Sequence, residues 1–406
     1  MLQLYRVNQK LKKNPLADIA GEIRRQLDSL NLIIPQGNVA ITAGSRGIDN
    51  IVLITRTVGD WLKEKGAKPF IVPCMGSHNG ATAEGQRAMI ESLGITEEAM
   101  DMPIRASMDV VELADVGTGK VYMDKHCFEA DGVFVLNRVK LHTCFAGPVQ
   151  SGLTKMMVVG MGKIKSAQTF HSTPTHKMKD LLLEMGKVVI DSGKIIAGLA
   201  ILEDGLDQTA EFHILKPCDI LKEEPRLVEH HKTYFPSLPV DDLDVLVVDE
   251  IGKTFSGTGM DTNVIGYRGD KLCEDLVKPD IEILCALNLV SASKGNAIGV
   301  GLADFITQSL RDDINEEKTF INVFTTGLMH RCKIPATLKD DETLVNTVAE
   351  RFKFNRWMFV PNTLHLETLY ISEGLVEELS NHPDCEVDPN PINLTFKNGK
   401  LAIPFH

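Results

Sequence analysis

The chain has 406 residues, of which 43% are hydrophobic and 24% charged, and its formal net charge is −12. Those proportions describe a globular protein of two or three domains, each long enough to bury a core of its own. The acidic balance excludes nucleic acid and anionic membrane as partners, since both require clustered Lys and Arg, but leaves room for a local cationic pocket.

Eight cysteines stand at 74, 127, 144, 218, 273, 285, 332 and 385. None forms a CxxC pair, and their spacing fits no zinc or iron–sulfur pattern. They read as reduced thiols of a cytoplasmic protein. The opening MLQLYRVNQKLKKNPLADIAGEI has no apolar h-region, and no segment approaches the length of a membrane span.

Strand and helix signals alternate along the chain. NVAITAG reads as a strand, and residues 48–66 carry Ile51, Ile54, Val58 and Leu62 on one helical face. KPFIVPCMG is a strand and AEGQRAMIESLG a helix ending at glycine. DVVELADV and GKVYMDK form a short antiparallel pair, and GVFVLNRV is a core strand. HKMKDLLLEMGKVVIDSG is an amphipathic helix, followed by the strands IIAGLAILED and AEFHILKP. The polar, proline-bearing stretch 222–239 is the best linker, which places a cofactor-binding, catalytic domain at 1–238 and a second α/β domain at 239–406. Beyond it, LDVLVVDEIG, IEILCALNLV and TFINVFTT read as strands, LADFITQSLRDDI and DETLVNTVAERF as helices, and INLTFKNGKLAIPF as a hairpin with an Asn-Gly turn. The expected fold class is α/β: two α/β domains with the active site in the cleft between them.

Three strand ends carry the residues that can do chemistry. Ser45 and Arg46 follow the first strand in TAGSRG, where glycines flank an arginine that can fork onto an anion. His78 follows the second in MGSHNG, and His142 ends GVFVLNRVKLH. Two histidines facing one pocket suit removal and return of a proton; the plainer alternative is a pair of hydrogen-bonded loop histidines. Lys155 enters the apolar run MMVVGMG after a glycine-rich turn. It can anchor a phosphate, bond to a carbonyl-like group or snorkel to the surface. His171 is either a helix-terminal histidine or a metal ligand. His230 and His231 read as solvated surface, and His126 and His176 have no telling context.

Taken together, TAGSRG, GSH, HTCFAG, SGLTK and TFH, in that order over residues 36–171, resemble the nickel-dependent lactate racemase family. The resemblance implies a racemase or epimerase of a 2-hydroxy acid. It also implies a nickel-pincer nucleotide (nickel pyridinium-3,5-bisthiocarboxylic acid mononucleotide) as cofactor. By carry-over, Lys155 tethers that cofactor, His171 ligates its nickel, Arg46 and Ser45 help hold it, and His78 and His142 are the paired acid/base groups. Hydride then leaves C2 for the pincer carbon and returns to either face. The implied partners are a small 2-hydroxy acid and the enzymes of cofactor synthesis, with no nucleic acid and no membrane; a homo-oligomer is compatible with all of this.

The chain departs from the pattern in places. Ala43 and Gly44 stand where the family carries an acidic residue, and Asn79 follows His78 where it carries arginine. In FSGTGMDTNVIGYRG, Gly266 and Arg268 fall near the family's substrate-contacting Gln and Lys, so Arg268 is the substrate-binding candidate. These departures surround the substrate more than the nickel and point away from lactate itself. Two alternatives stand beside this reading. One is a nicotinamide oxidoreductase, which would want a G-x-G-x-x-G after the first strand. The other is a non-catalytic cofactor or metal carrier.

Overall fold

A computed structural model describes residues 2–269, 276 and 278–405. The protein is α/β, and the chain divides into two compact units, residues 12–235 and residues 1–11 with 236–406. Strand β1 (Gln3–Gln9) precedes the first of these yet belongs to the second.

The unit of residues 12–235 runs α1 (Ile19–Ser29), β2 (Asn38–Ala43), α2 (Ile51–Glu64), β3 (Lys68–Pro73), α3 (Ala83–Ser92), α4 (Glu97–Met100), β4 (Val110–Asp115), β5 (Lys120–Asp124), α5 (Lys125–Glu129) and β6 (Gly132–Arg138). It continues through α6 (Leu153–Lys155), a π-helical turn over Met156–Gly160, α7 (Lys163–Ser172), α8 (Thr175–Asp191), β7 (Ile195–Glu203), β8 (Thr209–Leu215) and α9 (Pro217–Lys232). Its main sheet has the order β3-β2-β6-β7-β8, parallel except at the β8 edge, and β4 and β5 pair as a separate antiparallel ribbon.

The strands are buried on both faces, as near-continuous apolar runs in a parallel sheet should be. Ala40, Val72, Val133 and Val135 face one layer with α8 and the Met156–Met161 run. Val39, Ile41, Ile71 and Phe134 face the other with α1 and α2. From β2 the chain moves outward to β3 on one side, then returns to place β6 and β7 on the other. That reversal beside β2 is a topological switch point, where the carboxyl ends of parallel strands open a crevice.

Helix α9 occupies most of the stretch expected to be a linker. Ile220, Glu224, Leu227, Val228 and His231 recur at helical spacing and are all buried. His231, expected at the surface, is only 3% exposed, and burial draws its pKa down to about 3. Its neighbour His230 bonds Glu211 at 2.8 Å.

The other unit is built on a nine-stranded sheet. It comprises β1, β9 (Asp242–Ile251), β10 (Asp280–Leu289), β11 (Phe305–Thr307), β12 (Ala336–Leu338), β13 (Trp357–Val360), β14 (Thr368–Ser372), β15 (Cys385–Val387) and β16 (Ile392–Asn393). The order β12-β11-β10-β9-β13 is parallel, and β14 and β1 add antiparallel strands beyond it. The expected strand TFINVFTT is part of a helix, Glu316–Thr326. Asn315 caps its start by accepting the Lys318 N–H, Glu316 and Glu317 fill its first turn, and Gly327 closes it at φ 71°. Those end signals outweigh the β-branched content between them. The expected helix at 302–314 begins only at Gln308, because Phe305–Thr307 pair with β10 and β12. The expected hairpin forms, with Phe396–Lys397 paired to Lys400–Leu401 around Asn398 and Gly399, both at positive φ.

Seven of the cysteines are free thiols, while Cys273 lies outside the described residues. Among the described residues no helix is long and apolar enough to cross a membrane.

Candidate active site at the strand ends

Ser45 and Arg46 follow β2, His78 follows β3 and His142 follows β6, so three adjacent parallel strands deliver them to one edge of the sheet. The first two loops are tied together where they leave the sheet, the Cys74 N–H donating to Ala43 O at 2.7 Å. Ser45 Oγ and His78 Nδ1 are 2.5 Å apart. Gly76, at φ 62°, lets this loop turn sharply enough for its N–H to reach Gly160 O at 3.3 Å. The His78 loop therefore lies against the π-helical turn that follows Lys155.

His142 sits in a loop closed on itself. Lys140 and Ser151 exchange both backbone hydrogen bonds, at 2.9 and 3.1 Å. Inside that closure Gln150 Oε1 accepts the His142 N–H at 2.7 Å, and the Cys144 N–H donates to His142 Nδ1 at 3.0 Å. The imidazole packs on Phe145 with ring centroids 4.5 Å apart. Phe145 meets Phe170 edge-on at 5.7 Å, and Phe170 meets His171 at 5.6 Å. An aromatic ladder thus runs from His142 to His171 on α7.

Lys155 ends the short turn α6 and is half-buried. Burial draws its pKa down to about 8; Cys144 opposes that shift and Arg46 adds to it. His171 is drawn down to about 4, by burial first and then by the Lys155 charge. Arg46 reaches solvent, yet its guanidinium is crowded enough by protein, and near enough to Arg138, for its pKa to be lowered. Arg138 itself pairs with the buried Glu203. Among the described residues Arg46 makes no ion pair. Arg46 and Lys155, two cations close enough for Arg46 to lower the Lys155 pKa, leave a site that an anion would stabilise.

Six of the sequence candidates, Ser45, Arg46, His78, His142, Lys155 and His171, accordingly gather in one unit. Arg268 lies in the other, 2% exposed, with its carbonyl accepting from Arg331 Nη2 at 3.1 Å. Sequence reasoning passed over Arg138, Glu203 and Glu224. Glu224 left a trace, an acidic residue at a core position of an otherwise apolar helical stripe.

No protein-family model matches the sequence, and no curated protein matches it. Among solved structures the chain is similar to the lactate racemase apoprotein from Thermoanaerobacterium thermosaccharolyticum. The TM-score is 0.52 at 11% identity, over 88% of this chain and 98% of that one. It is also similar to a protein from Thermotoga maritima, with TM-score 0.49 and 12% identity, over 79% of this chain and 83% of that one. At such identity the likeness is one of fold: the chain has a lactate racemase-like α/β fold.

Proposed function

We propose that the protein is a racemase or epimerase of a 2-hydroxy acid. His78 and His142 would transfer protons, while Lys155, Arg46, Ser45 and His171 would hold a nickel-pincer nucleotide. The observation that best supports this reading is that three adjacent parallel strands deliver Ser45, Arg46, His78 and His142 to one edge of the sheet, in the unit that also holds Lys155 and His171.

The residues present fit that cofactor. A Lys155 pKa of about 8 leaves a useful uncharged fraction near neutrality, the form in which an amine makes a covalent bond. A His171 pKa of about 4 keeps the imidazole neutral, with a lone pair for a borderline metal such as nickel. Arg46 offers a cation to a phosphate. Among the described residues no three of His, Cys, Asp and Glu gather into a metal site, so a metal held by His171 would take its other ligands from an organic group. When bound, the nickel-pincer nucleotide would supply a carbon able to take hydride from C2 and return it.

The chain's own residues then handle the proton. The Ser45 hydroxyl can accept from His78 Nδ1, which keeps Nε2 basic toward a substrate hydroxyl. At His142 the Cys144 N–H already occupies Nδ1, so the neutral ring carries its proton on Nε2 and is set to give it to an oxygen. One histidine prepared to accept and one prepared to donate serve a hydroxyl that loses and regains its proton, with the roles exchanged in the reverse direction. The departures at Ala43, Gly44 and Asn79 support a substrate other than lactate.

The test is protein co-expressed with cofactor-synthesis enzymes, assayed for nickel, intact mass and interconversion of D- and L-2-hydroxy acids by chiral chromatography. Nickel, an added mass on Lys155 and racemisation should appear together. Turnover by nickel-free, unmodified protein would overturn the reading.

A further inference from the structure

Glu224 on α9 is 1% exposed and has no part in the proton transfers above. Its Oε2 accepts the Thr154 backbone N–H at 2.9 Å and the Thr154 hydroxyl at 2.5 Å. Its other oxygen, Oε1, is buried without a hydrogen-bond partner among the described residues. Both donors belong to Thr154, in the middle of the three-residue turn that ends in Lys155. The first N–H groups of a helical turn find no partner within it and need an outside acceptor. Gly152 makes room for that acceptor, since a Cβ there would stand 1.9 Å from Glu224 Oε1. On the other side Asn137 Nδ2 donates to Gly152 O at 2.7 Å, which ties the same turn to the end of β6.

We infer that Glu224 is a positioning residue: its carboxyl clamps the Leu153–Thr154 turn from behind and thereby sets the place and the desolvation of the Lys155 amine. Burial raises the Glu224 pKa to about 7, opposed only by the hydrogen bonds of the turn it clamps. A buried carboxyl that costly is retained where its geometry is used. The inference goes beyond the proposed function, because the amine's place is set whether or not Lys155 carries a cofactor.

The experiment follows Lys155 itself in full-length protein prepared without cofactor. Acylation by acetic anhydride is measured across pH and read by peptide mass spectrometry. In the native chain the Lys155 midpoint should lie near 8. Glu224→Ala and Thr154→Val should each move it by about one unit or more toward the ordinary lysine value, as water reaches the amine. Other lysines should not change. Glu224→Gln keeps an acceptor oxygen in place and should stay near the native midpoint. If Glu224→Ala does not fold, Thr154→Val decides, since it removes one bond and leaves the carboxyl buried. An unchanged Lys155 midpoint in a folded Thr154→Val or Glu224→Ala protein would overturn the inference. So would a Glu224→Gln protein as perturbed as Glu224→Ala. The readout needs no nickel and no turnover, so its failure is separable from failure of the racemase reading.

Discussion

Ser45 Oγ and His78 Nδ1 meet at 2.5 Å, joining the loops that follow two neighbouring parallel strands, β2 and β3. The bond engages Nδ1 and, in the proposed mechanism, leaves Nε2 for the substrate. Ser45→Ala should lower turnover while leaving folding intact. A hydrogen bond worth about 1 kcal/mol corresponds to a loss of roughly fivefold, and Ser45→Thr should recover most of it. Equal rates for Ser45→Ala and the native protein would remove the orienting role.

Removing either histidine should be far more damaging. His78→Ala and His142→Ala should each cost on the order of 10²–10⁴-fold in rate, in both directions of interconversion, because one cycle of the proposed mechanism uses both groups. A substrate deuterated at C2 should keep its label. Washout of that label into solvent, followed by NMR, would show proton abstraction at carbon and point to a cofactor-independent two-base racemase.

Lys155 and His171 should separate by readout. Lys155→Ala should lose the added mass and the activity with little change in thermal unfolding, since the proposed tether would be a functional bond. His171→Ala should lose nickel in proportion to activity, measured by elemental analysis. Full nickel and full turnover in the His171 variant would make that residue structural.

Buried His231 predicts an acid-sensitive fold. Its folded pKa, about 3, lies below the unfolded value, so above pH 6.5 neither state is charged there and nothing is lost. As pH falls below that point the unfolded chain takes up a proton that the folded chain refuses, and stability drops. Between pH 7.5 and 4.5 the loss from this one group should approach roughly 3 kcal/mol. His231→Gln, compared by urea titration at both pH values, should show a smaller drop than the native protein. Equal drops would mean that His231 is not a buried neutral group in solution.

Legibility in the sequence followed how local each signal was. The strands at 38–43, 68–73 and 132–138 are apolar on both faces and could be recognised from composition alone, and their glycine-rich ends exposed Ser45, Arg46, His78 and His142 to inspection. The Glu316–Thr326 helix was misread because Phe, Ile and Val suggested a strand, while the capping residues lie just outside that run. Residues 222–239 looked like a linker because charge and proline mask the apolar stripe of α9. Glu224 meets Thr154 across 70 residues, and no local pattern carries such a pairing. The sequence left Lys155 the option of snorkelling to the surface; only the folded chain shows that burial comes first in lowering its pKa, with Cys144 opposing and Arg46 adding.

The placement of β1 bears on how the chain is made. Its neighbour β14 lies near the opposite end of the sequence, Leu4 pairing with Ser372 and Asn8 with Thr368. During synthesis an unpaired strand must wait while residues 12–235 are translated and collapse on contacts of their own. Once folded, that unit replaces a long, floppy closure with a compact body, and the entropy still to be lost when β1 finds its place is correspondingly smaller. Until then β1 presents unpaired backbone N–H and C=O groups, the kind of bare edge that invites pairing with another chain.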